Sequence, residues 1–422
     1  MGAAPRPVAA DGRGAGAPDG AGDRADGPSG PGPTAPSLDA LERAMANDEL
    51  LLHFQPKVCL LRGEVVGAEA LVRWNGPERT IISPDAFLPL AESSGLLHDI
   101  TMRLLDRAVD ACLALRRVRP GLSISMNVAP DDLESQKISN RIAALLADGT
   151  LGSEDLQIEI TESAVLGQLE RVRGDLDRLV ALGIRVLMDD FGTGWSSIDR
   201  LSQLPFTALK LDQGIVKRMG TSRQNLDTVR SAVSMARELR MTSVAEGIES
   251  AGAYHFLIAS GCEQGQGYWM GRPMSLADFT GFVAGGASFA GSQIGRVHQS
   301  VLNLIHVRKS LVDAAFCARA GAEGALPSVV RPEIAPDAET SRVGLWYWGR
   351  GLALEGRASY RAIEAPYREL HGRAHRFLEM IADGITDARL DRAMDAIDER
   401  VDRLIALLHA LERELLTERS RG

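Results

Sequence analysis

The sequence predicts an α/β fold, a (β/α)8 TIM-like barrel with one antiparallel strand, followed by an α-helical bundle domain. Eight short, nearly continuous apolar runs lie between residues 51 and 271 and alternate with helical stretches, which is typical of a parallel sheet covered by helices on both faces. The turn between the first two runs is too short for a parallel crossover, so the first strand is predicted to run antiparallel. From about residue 295 onward, apolar residues recur at helical spacing. A doubly wound open sheet is the alternative for the first part.

The first 37 residues are predicted to be a disordered N-terminal segment. Ala, Gly, Pro and Asp dominate this stretch, and its sequence contains no aromatic residue. Such a segment cannot bury enough apolar surface to offset the entropy lost on ordering. We therefore assign no function to it.

The predicted barrel domain spans residues 38–285. A helical pattern over 38–50 precedes the first strand, and further helices are predicted over 99–117 and 134–148. Another helix is predicted to open with Ser83 as N-cap and Pro84 as its first residue, because both residues favour a helix start. The strand candidates are 51–60, 65–74, 122–130, 155–163, 185–192, 208–216, 242–250 and 264–271.

Residues 286–294 are predicted to be a linker, and residues 295–420 a helical domain. Two long stretches, 296–316 and 390–416, place apolar residues at positions i, i+3, i+4 and i+7. A Pro-rich loop over 327–336 and another helix near 358–382 lie between them. This pattern predicts a four-helix bundle.

Composition excludes several classes of protein. The net charge is −9, which argues against binding to a nucleic acid polymer, because such binding depends on cationic side chains. The sequence contains no membrane span of about 18 apolar residues and no apolar signal segment. The four cysteines are scattered, as free thiols are in a reducing cytosol. A cytoplasmic protein is expected.

Polar side chains, most of them acidic, end several of the predicted strands. In a parallel barrel these positions open onto the C-terminal face, where active sites lie. A carboxylate in an apolar run is costly unless it is paired or binds a metal. Any one of them could be a structural ion pair, but together they favour a site for hard divalent ions such as Mg²⁺ or Mn²⁺. Adjacent Asp residues can serve two metals, the usual arrangement for phosphoester hydrolysis. The residues are Glu69, Asn127, Glu159, Asp189, Asp190 and Glu246, with Lys210 on a strand between them.

These residues lie in a series of motifs over residues 38–285. The motifs are EALVRW (69–74), NVAP (127–130), EITES (159–163), DDFGTGWSSI (189–198), LKLD (209–212), AEGIE (245–249) and GQGYWMGRPM (265–274). In this order and spacing the segment resembles the EAL-domain phosphodiesterases of bacterial cyclic di-GMP signalling. The resemblance implies a barrel enzyme that hydrolyses cyclic di-GMP to linear pGpG with two Mg²⁺ or Mn²⁺ ions. It also implies that the chain forms a homodimer.

The resemblance assigns a role to each matched position around the metals. Lys210 holds or polarises the attacking water, and Gln266 contacts the water network of the metals or the substrate. Glu249 and Asp212 support this shell. The metal ligands are Glu69, Asn127, Glu159, Asp189, Asp190 and Glu246.

The resemblance also assigns the substrate cleft. Gln55, Leu71 and Arg73 line it, and Arg73 meets a phosphate, for which its planar fork of donors is suited. Glu162 anchors the loop FGTGWSS (191–197) that follows Asp190. Every matched catalytic position is present, which favours an active enzyme over the alternative, a catalytically weak cyclic di-GMP receptor or signalling scaffold.

A second set of motifs lies in the C-terminal part. SRVGLWYWGRG (341–351), Tyr360, Pro366 and HGRAH (371–375) resemble the chemoreceptor zinc-binding domain. The resemblance implies Zn²⁺ held by three histidines and one cysteine.

At the matching positions the chain has His306, His371 and His375, and Ser341 at the usual Cys position. His371 and His375 share a helix face, whereas a serine hydroxyl is a poorer ligand than a thiolate. The hypothesis is a zinc-responsive domain that regulates the phosphodiesterase. The alternative is a dimerisation bundle whose histidines are incidental.

Overall fold

The computed structural model of the chain describes residues 36–76, 80–163, 169–192, 201, 204–289, 293–321 and 337–419. All but two residues of the predicted disordered segment lie outside these ranges. The Pro-rich loop 327–336 and residues 193–197 of the loop FGTGWSS also lie outside them.

Eight strands close into a barrel through main-chain hydrogen bonds. Around the ring the order is β1-β9-β8-β7-β6-β5-β4-β2, and β2 returns to β1, while the two-residue β3 pairs with the end of β2. The predicted barrel is therefore confirmed. The strands are β1 (Leu50–Cys59), β2 (Glu64–Asn75), β3 (Ile81–Ile82), β4 (Ser123–Asn127), β5 (Leu156–Thr161), β6 (Arg185–Phe191), β7 (Ala208–Leu211), β8 (Thr242–Ala245) and β9 (Gln264–Gly265).

The first strand runs antiparallel to both of its neighbours, as predicted, and the other barrel strands pair in parallel. The turn from β1 to β2 ends at Gly63, whose φ of +69° is a conformation that other residues adopt only at a cost. The resulting register places Gln55 opposite Glu69. Two residues of the predicted site thus become neighbours across β1 and β2.

Helices cover the outside of the barrel. Their apolar faces pack on outward-facing strand residues such as Ile124, Ile158 and Val186 to form one large buried core. A smaller cluster near the N-terminus includes Trp74 and Phe87, whose rings meet edge to face. The helices are α1 (Leu38–Ala46), α2 (Pro84–Ser93), α3 (Leu97–Val118), α4 (Pro130–Glu134), α5 (Lys137–Ala147), α6 (Leu169–Ala181), α7 (Gln213–Arg218), α8 (Arg223–Glu238), α9 (Ala251–Ala259) and α10 (Leu276–Ala284).

Several predicted elements differ in detail from the structure; the strands predicted over 122–130, 242–250 and 264–271, for example, end at Asn127, Ala245 and Gly265. The strand candidate 208–216 ends at Leu211, because Asp212 caps α7 by accepting a hydrogen bond from the Gly214 N–H at 2.9 Å. Ser83 and Pro84 do open α2, but the Ser83 side chain makes no capping hydrogen bond to the described residues.

The C-terminal part is helical, as predicted, and packs around its own core, in which Trp346 is fully buried. Three helices of this part are long, and the others in the described residues are short, so the described residues do not form four helices of comparable length. No described helix combines the length and the apolar character that a bilayer crossing requires. The helices are α11 (Gln293–Arg319), α12 (Arg342–Tyr347), α13 (Ala358–Arg361), α14 (Glu364–Ala382) and α15 (Ala388–Arg419).

The helical part contacts the barrel at the N-terminal ends of the parallel strands. The Arg350 Nε donates to the Arg62 carbonyl at 2.9 Å, in the turn before β2. Arg342 pairs with Glu263, just before β9, at 3.0 Å. Helix α11 is described from Gln293, and the predicted linker 286–294 stays a prediction.

Candidate active site

The barrel interior carries polar side chains towards the carboxyl ends of the parallel strands. Alternate residues of a strand point to the same side. The apolar residues of β4 and β5 face the helices, so the residues between them face inward. On these two strands the inward residues include Ser125, Asn127, Gln157 and Glu159. The alternation of apolar and polar residues in the sequence therefore builds a polar interior inside an apolar shell.

The ammonium group of Lys210 is surrounded by four carboxylates. Its Nζ lies 2.5 Å from an oxygen of Glu159, 2.7 Å from Glu246, 3.0 Å from Asp189 and 3.3 Å from Glu69. Lys210 and Glu159 are fully buried, and Glu69 and Asp189 are nearly so. Side chains from β2, β5, β6, β7 and the residue after β8 therefore converge on one point.

A second buried lysine, Lys57 on β1, lies deeper in the barrel. Its Nζ donates to Ser125 Oγ at 2.7 Å and to Gln157 Oε1 at 3.0 Å, and it lies 3.5 Å from Glu159 Oε1. Each oxygen of Glu159 thus faces a different lysine. Burial alone would raise the pKa of Glu159, but Lys210 and Lys57 outweigh burial and lower it to about 2.

Asp189 and Asp190 are consecutive residues that nevertheless serve the same site. Consecutive strand residues normally point to opposite faces. Here the pairing of β6 with β7 shifts register between Met188 and Phe191, and Asp190 has a φ of +57°, which is uncommon for a residue other than glycine. Such a bulge redirects a side chain. Ligand oxygens of Asp189, Asp190 and Glu246 consequently lie within 4.8 Å of one another.

Negative charge exceeds positive charge in this interior. When all of these groups are ionised, the five carboxylates of Glu69, Glu159, Asp189, Asp190 and Glu246 exceed the two ammonium groups of Lys57 and Lys210 by three negative charges. Burial, reinforced by neighbouring carboxylates, raises the pKa of Glu69, Asp189 and Asp190. The same causes raise the pKa of Glu246 to about 8.

The arrangement fits hard divalent cations. Ligand oxygens of Glu69, Glu159 and Asp189 lie within 4.8 Å of one another, and this group shares Asp189 with the group formed by Asp190 and Glu246. Sites made only of oxygen donors suit Mg²⁺ and Mn²⁺. Divalent cations would also neutralise the excess negative charge described above.

Two side-chain amides hold Glu69 in place. The Nδ2 of Asn127 donates to Glu69 Oε1 at 3.1 Å, and the Nε2 of Gln266 donates to Glu69 Oε2 at 2.5 Å. Gln266 also donates to Glu246 at 3.0 Å. Its buried Oε1 has no hydrogen-bond partner among the described residues, so this oxygen is available to a cation, a water molecule or a ligand.

A cleft of about 230 Å³ opens over the carboxylates. Arg73 and Lys217 bring positive charge to its walls, above an acidic floor. Tyr268 adds an exposed aromatic ring, over which Arg272 is stacked at 4.1 Å from the ring centre. The predicted residues that line the cleft are Gln55, Glu69, Leu71, Arg73, Asp189, Glu246, Glu249 and Gln266.

Comparison with known families identifies this architecture. A sequence model of the EAL domain matches residues 38–273, a range that contains all the barrel strands and the whole carboxylate site. The chain belongs to the EAL domain family. The cyclic di-GMP phosphodiesterase RocR of Pseudomonas aeruginosa is 34% identical to it over 250 residues, which are 59% of this chain and 64% of RocR. An uncharacterised signalling protein of Caulobacter vibrioides is 36% identical over 246 residues, which are 58% of this chain and 30% of that protein.

Solved structures agree with the EAL assignment. The MucR phosphodiesterase of Pseudomonas aeruginosa, in complex with c-di-GMP, superimposes with a TM-score of 0.54 at 34% identity, over 57% of this chain and 98% of that one. The EAL enzyme Bd1971 superimposes with a TM-score of 0.55 at 26% identity, over 58% of this chain and 67% of that one. The likeness thus concerns the barrel, and the match spans less than two thirds of the length of RocR.

Three predicted residues of the EAL domain lie at the edge of the site. Glu162 is buried, and its Oε2 accepts a hydrogen bond at 3.0 Å from the N–H of Gly192, where the predicted loop begins. Asp212 caps α7. Glu249 is half-exposed on the cleft wall and pairs with Lys217 at 3.0 Å. Their roles in the site stay predictions.

Sequence reasoning missed three residues of this site. Lys57 lies two positions after Gln55 on β1, so the alternation of the strand would have placed both on the inner face. No comparable pattern marks Lys217, which lies on the short helix α7, or Tyr268, which lies in the segment after β9. Their contribution depends on how these segments approach the barrel mouth.

The three histidines predicted to bind zinc in the C-terminal part do not form one metal-capable group among the described residues, and zinc binding stays a prediction. In the portion of the chain that the structure describes, the metal-capable groups are the two carboxylate sets of the EAL domain. His306 lies against the barrel, where it lines a pocket together with Arg237 of α8, and burial and Arg237 lower the pKa of His306 to about 4. Ser341 caps α12 through the Gly344 N–H and shares a hydrogen bond with the Tyr367 hydroxyl.

The other two predicted zinc ligands lie side by side on α14. The rings of His371 and His375 are 4.7 Å apart. These two histidines are therefore neighbours on one helix face, as their spacing predicted, and their role as zinc ligands stays a prediction.

Proposed function

We propose that this EAL domain is a phosphodiesterase that hydrolyses cyclic di-GMP to linear pGpG with two Mg²⁺ or Mn²⁺ ions per active site. The observation that carries the proposal is the convergence of Glu69, Glu159, Asp189 and Glu246 on Lys210 at the floor of an open cleft. Similarity to RocR, named a cyclic di-GMP phosphodiesterase, and to MucR in its c-di-GMP complex supports the choice of substrate.

The cleft walls suit a cyclic dinucleotide. An anion that approaches this acidic floor needs cationic groups, and Arg73 and Lys217 supply them. Arg73 can bind two phosphate oxygens at once through its guanidinium fork. Leu71 and Tyr268 offer apolar and aromatic surfaces against which a guanine base can pack.

Hydrolysis adds water to one phosphorus, breaks the bond to the 3′ oxygen and leaves pGpG with a 5′ phosphate. Divalent cations held by the carboxylates would supply charge neutralisation at the attacking and leaving oxygens. Although burial opposes it, the four surrounding carboxylates raise the pKa of Lys210 well above its usual value. The Lys210 ammonium, held among these carboxylates, is placed to donate a hydrogen bond to the attacking water.

The decisive experiment follows the product. Purified full-length protein is stripped of metal and incubated with cyclic di-GMP, and the nucleotides are separated by chromatography after Mg²⁺ or Mn²⁺ is added. We expect pGpG only when a divalent ion is present. Cyclic di-GMP that is bound but left intact with both metals would contradict the proposal and favour a receptor.

Two substitutions on β2 test whether hydrolysis of cyclic di-GMP depends on the carboxylate site. Glu69→Ala removes a central carboxylate of β2 and should abolish turnover. Glu64→Ala removes a half-exposed carboxylate at the start of the same strand, where Glu64 pairs with Arg62. This variant should retain turnover. Equal loss in both variants would mean that the effect is on folding rather than on chemistry.

We also propose that the C-terminal helices regulate the EAL domain. The support is their contact with the barrel through Arg342 and Arg350. The 38–285, 286–294 and 295–420 boundaries, and pairing into a homodimer, stay predictions.

A further inference from the structure

A second cavity lies at the end of the barrel opposite the carboxylates, between the barrel and the C-terminal helices. Its volume is about 240 Å³. The barrel contributes Cys59 at the end of the antiparallel β1, and Arg185 and Thr242 at the starts of β6 and β8. Helix α11 contributes Gln299 and Asn303. The cavity is therefore walled by both parts of the chain.

Two buried amides line this cavity. Gln299 and Asn303 are four residues apart on α11, so they share a face, and each is 2% exposed. Among the described residues, neither amide atom of Asn303 has a hydrogen-bond partner, and neither does Oε1 of Gln299. Leaving buried donors and acceptors unpaired is costly. The cavity is thus built for a partner that both donates and accepts hydrogen bonds.

Guanidinium groups lie at the mouth of the same cavity. Arg185 is exposed, and the side chain of Arg62 is 38% exposed and pairs with Glu64 at 3.3 Å. Arg342 reaches in from α12 and pairs with Glu263 at 3.0 Å. Three guanidinium groups and the carboxylate of Glu263 line the cavity, so its net charge is positive. Guanidinium groups favour carboxylate and phosphate oxygens.

We propose that this cavity binds a small organic anion with a neutral, hydrogen-bonding head, the chemistry of a purine mononucleotide. Asn and Gln amides pair with a purine edge through one donor and one acceptor, and the arginines at the mouth would hold the phosphate. The walls between them include the apolar residues Leu61, Val66 and Leu345. The ligand would touch the barrel, α11 and α12 together. The inference does not depend on the phosphodiesterase activity.

The test measures binding of AMP and of GMP to the full-length protein by calorimetry, in EDTA so that the carboxylate site holds no metal. We expect one of them to bind with a stoichiometry of one. Asn303→Leu keeps the size of the side chain but removes both hydrogen-bonding atoms, and should weaken binding at least about tenfold. Arg185→Gln, at an exposed position, should weaken it about tenfold by removing a phosphate contact.

Two controls locate the ligand. Arg223→Gln removes an exposed arginine outside the cavity and should leave nucleotide affinity unchanged. Glu69→Ala should also leave it unchanged, because Glu69 lies in the other cleft. Loss of binding in Glu69→Ala, with retention in Arg185→Gln, would place the nucleotide in the catalytic cleft and overturn the proposal.

Two further results would also overturn it. One is failure of both nucleotides to bind the wild-type protein, which would leave ordered water as the partner of the amides. The other is unchanged binding in a folded Asn303→Leu variant. If Asn303→Leu does not fold, the comparison of Arg185→Gln with Arg223→Gln decides the question.

Discussion

Glu159 is held between two buried lysines, with Lys210 on one oxygen and Lys57 near the other. A fully buried carboxylate is tolerated when its charge is compensated nearby. The motif LKLD predicted Lys210, and strand alternation could have predicted that Lys57 faces inward. The sequence could not show that Ser125 and Gln157, on two other strands, would accept hydrogen bonds from the Lys57 ammonium. That contact depends on the register between strands.

Lys57→Met tests this compensation. Glu159 would lose one of its two cations, so the free energy of unfolding should fall by about 3 kcal/mol, as measured by urea denaturation. Turnover of cyclic di-GMP should fall as well, because Glu159 would shift. Lys217→Met, at a half-exposed position, should change stability by less than about 0.5 kcal/mol. Equal stability of Lys57→Met and wild type would show that Lys57 does not stabilise the buried carboxylate.

At the scale of elements, the conformation at the end of β6 allows the adjacent side chains of Asp189 and Asp190 to point into one site. The sequence predicted the strand over 185–192, but not the bulge that turns Asp190 towards Asp189. A bulge arises from how a strand pairs with its neighbour, and the strand's own residues do not reveal it. The bulge is followed by Gly192, which has a φ of +96° and donates its N–H to Glu162.

Gly192→Ala should disturb this strand end. A Cβ there would lie 2.3 Å from Ile215 Cδ1 and would also strain the positive φ. Gly121 has a φ of +82° with nothing within 4 Å of an added Cβ, so Gly121→Ala shows the cost of the backbone alone, about 1 kcal/mol. We expect Gly192→Ala to be less stable than Gly121→Ala in denaturant unfolding, and to lose turnover, which Gly121→Ala retains. Identical stability and turnover in the two variants would refute a specific role for this strand end.

At the scale of the whole molecule, the two larger of the three hydrophobic clusters among the described residues belong to the barrel and to the C-terminal helices. The two parts meet at the N-terminal ends of the barrel strands. Periodicity predicted the barrel and the long helices, because each pattern is local. The zinc site depends on contacts that are not local, and it stays a prediction. Sequence spacing shows that His371 and His375 share a helix face, but it does not show that His306 faces α8 of the barrel.

A zinc titration tests whether His371 and His375 contribute to a zinc site. Stoichiometric Zn²⁺ should have the same effect on the melting temperature of the wild-type protein and of the His371→Ala, His375→Ala double variant, because the three predicted histidines do not form one metal-capable group among the described residues. Any effect common to both would come from the carboxylate site. A zinc-dependent stabilisation that is reversed by chelator and absent from the double variant would show that a histidine site forms after all.

The proposed activity requires acidic side chains from separate strands to hold hard cations beside a bound nucleotide. The most direct measurement is anomalous diffraction from crystals of the full-length protein grown with cyclic di-GMP and Mn²⁺. We predict two manganese peaks, within bonding distance of oxygens of Glu69, Glu159, Asp189, Asp190 and Glu246, with the nucleotide in the cleft lined by Arg73. A bound nucleotide with no manganese at these carboxylates would contradict the account.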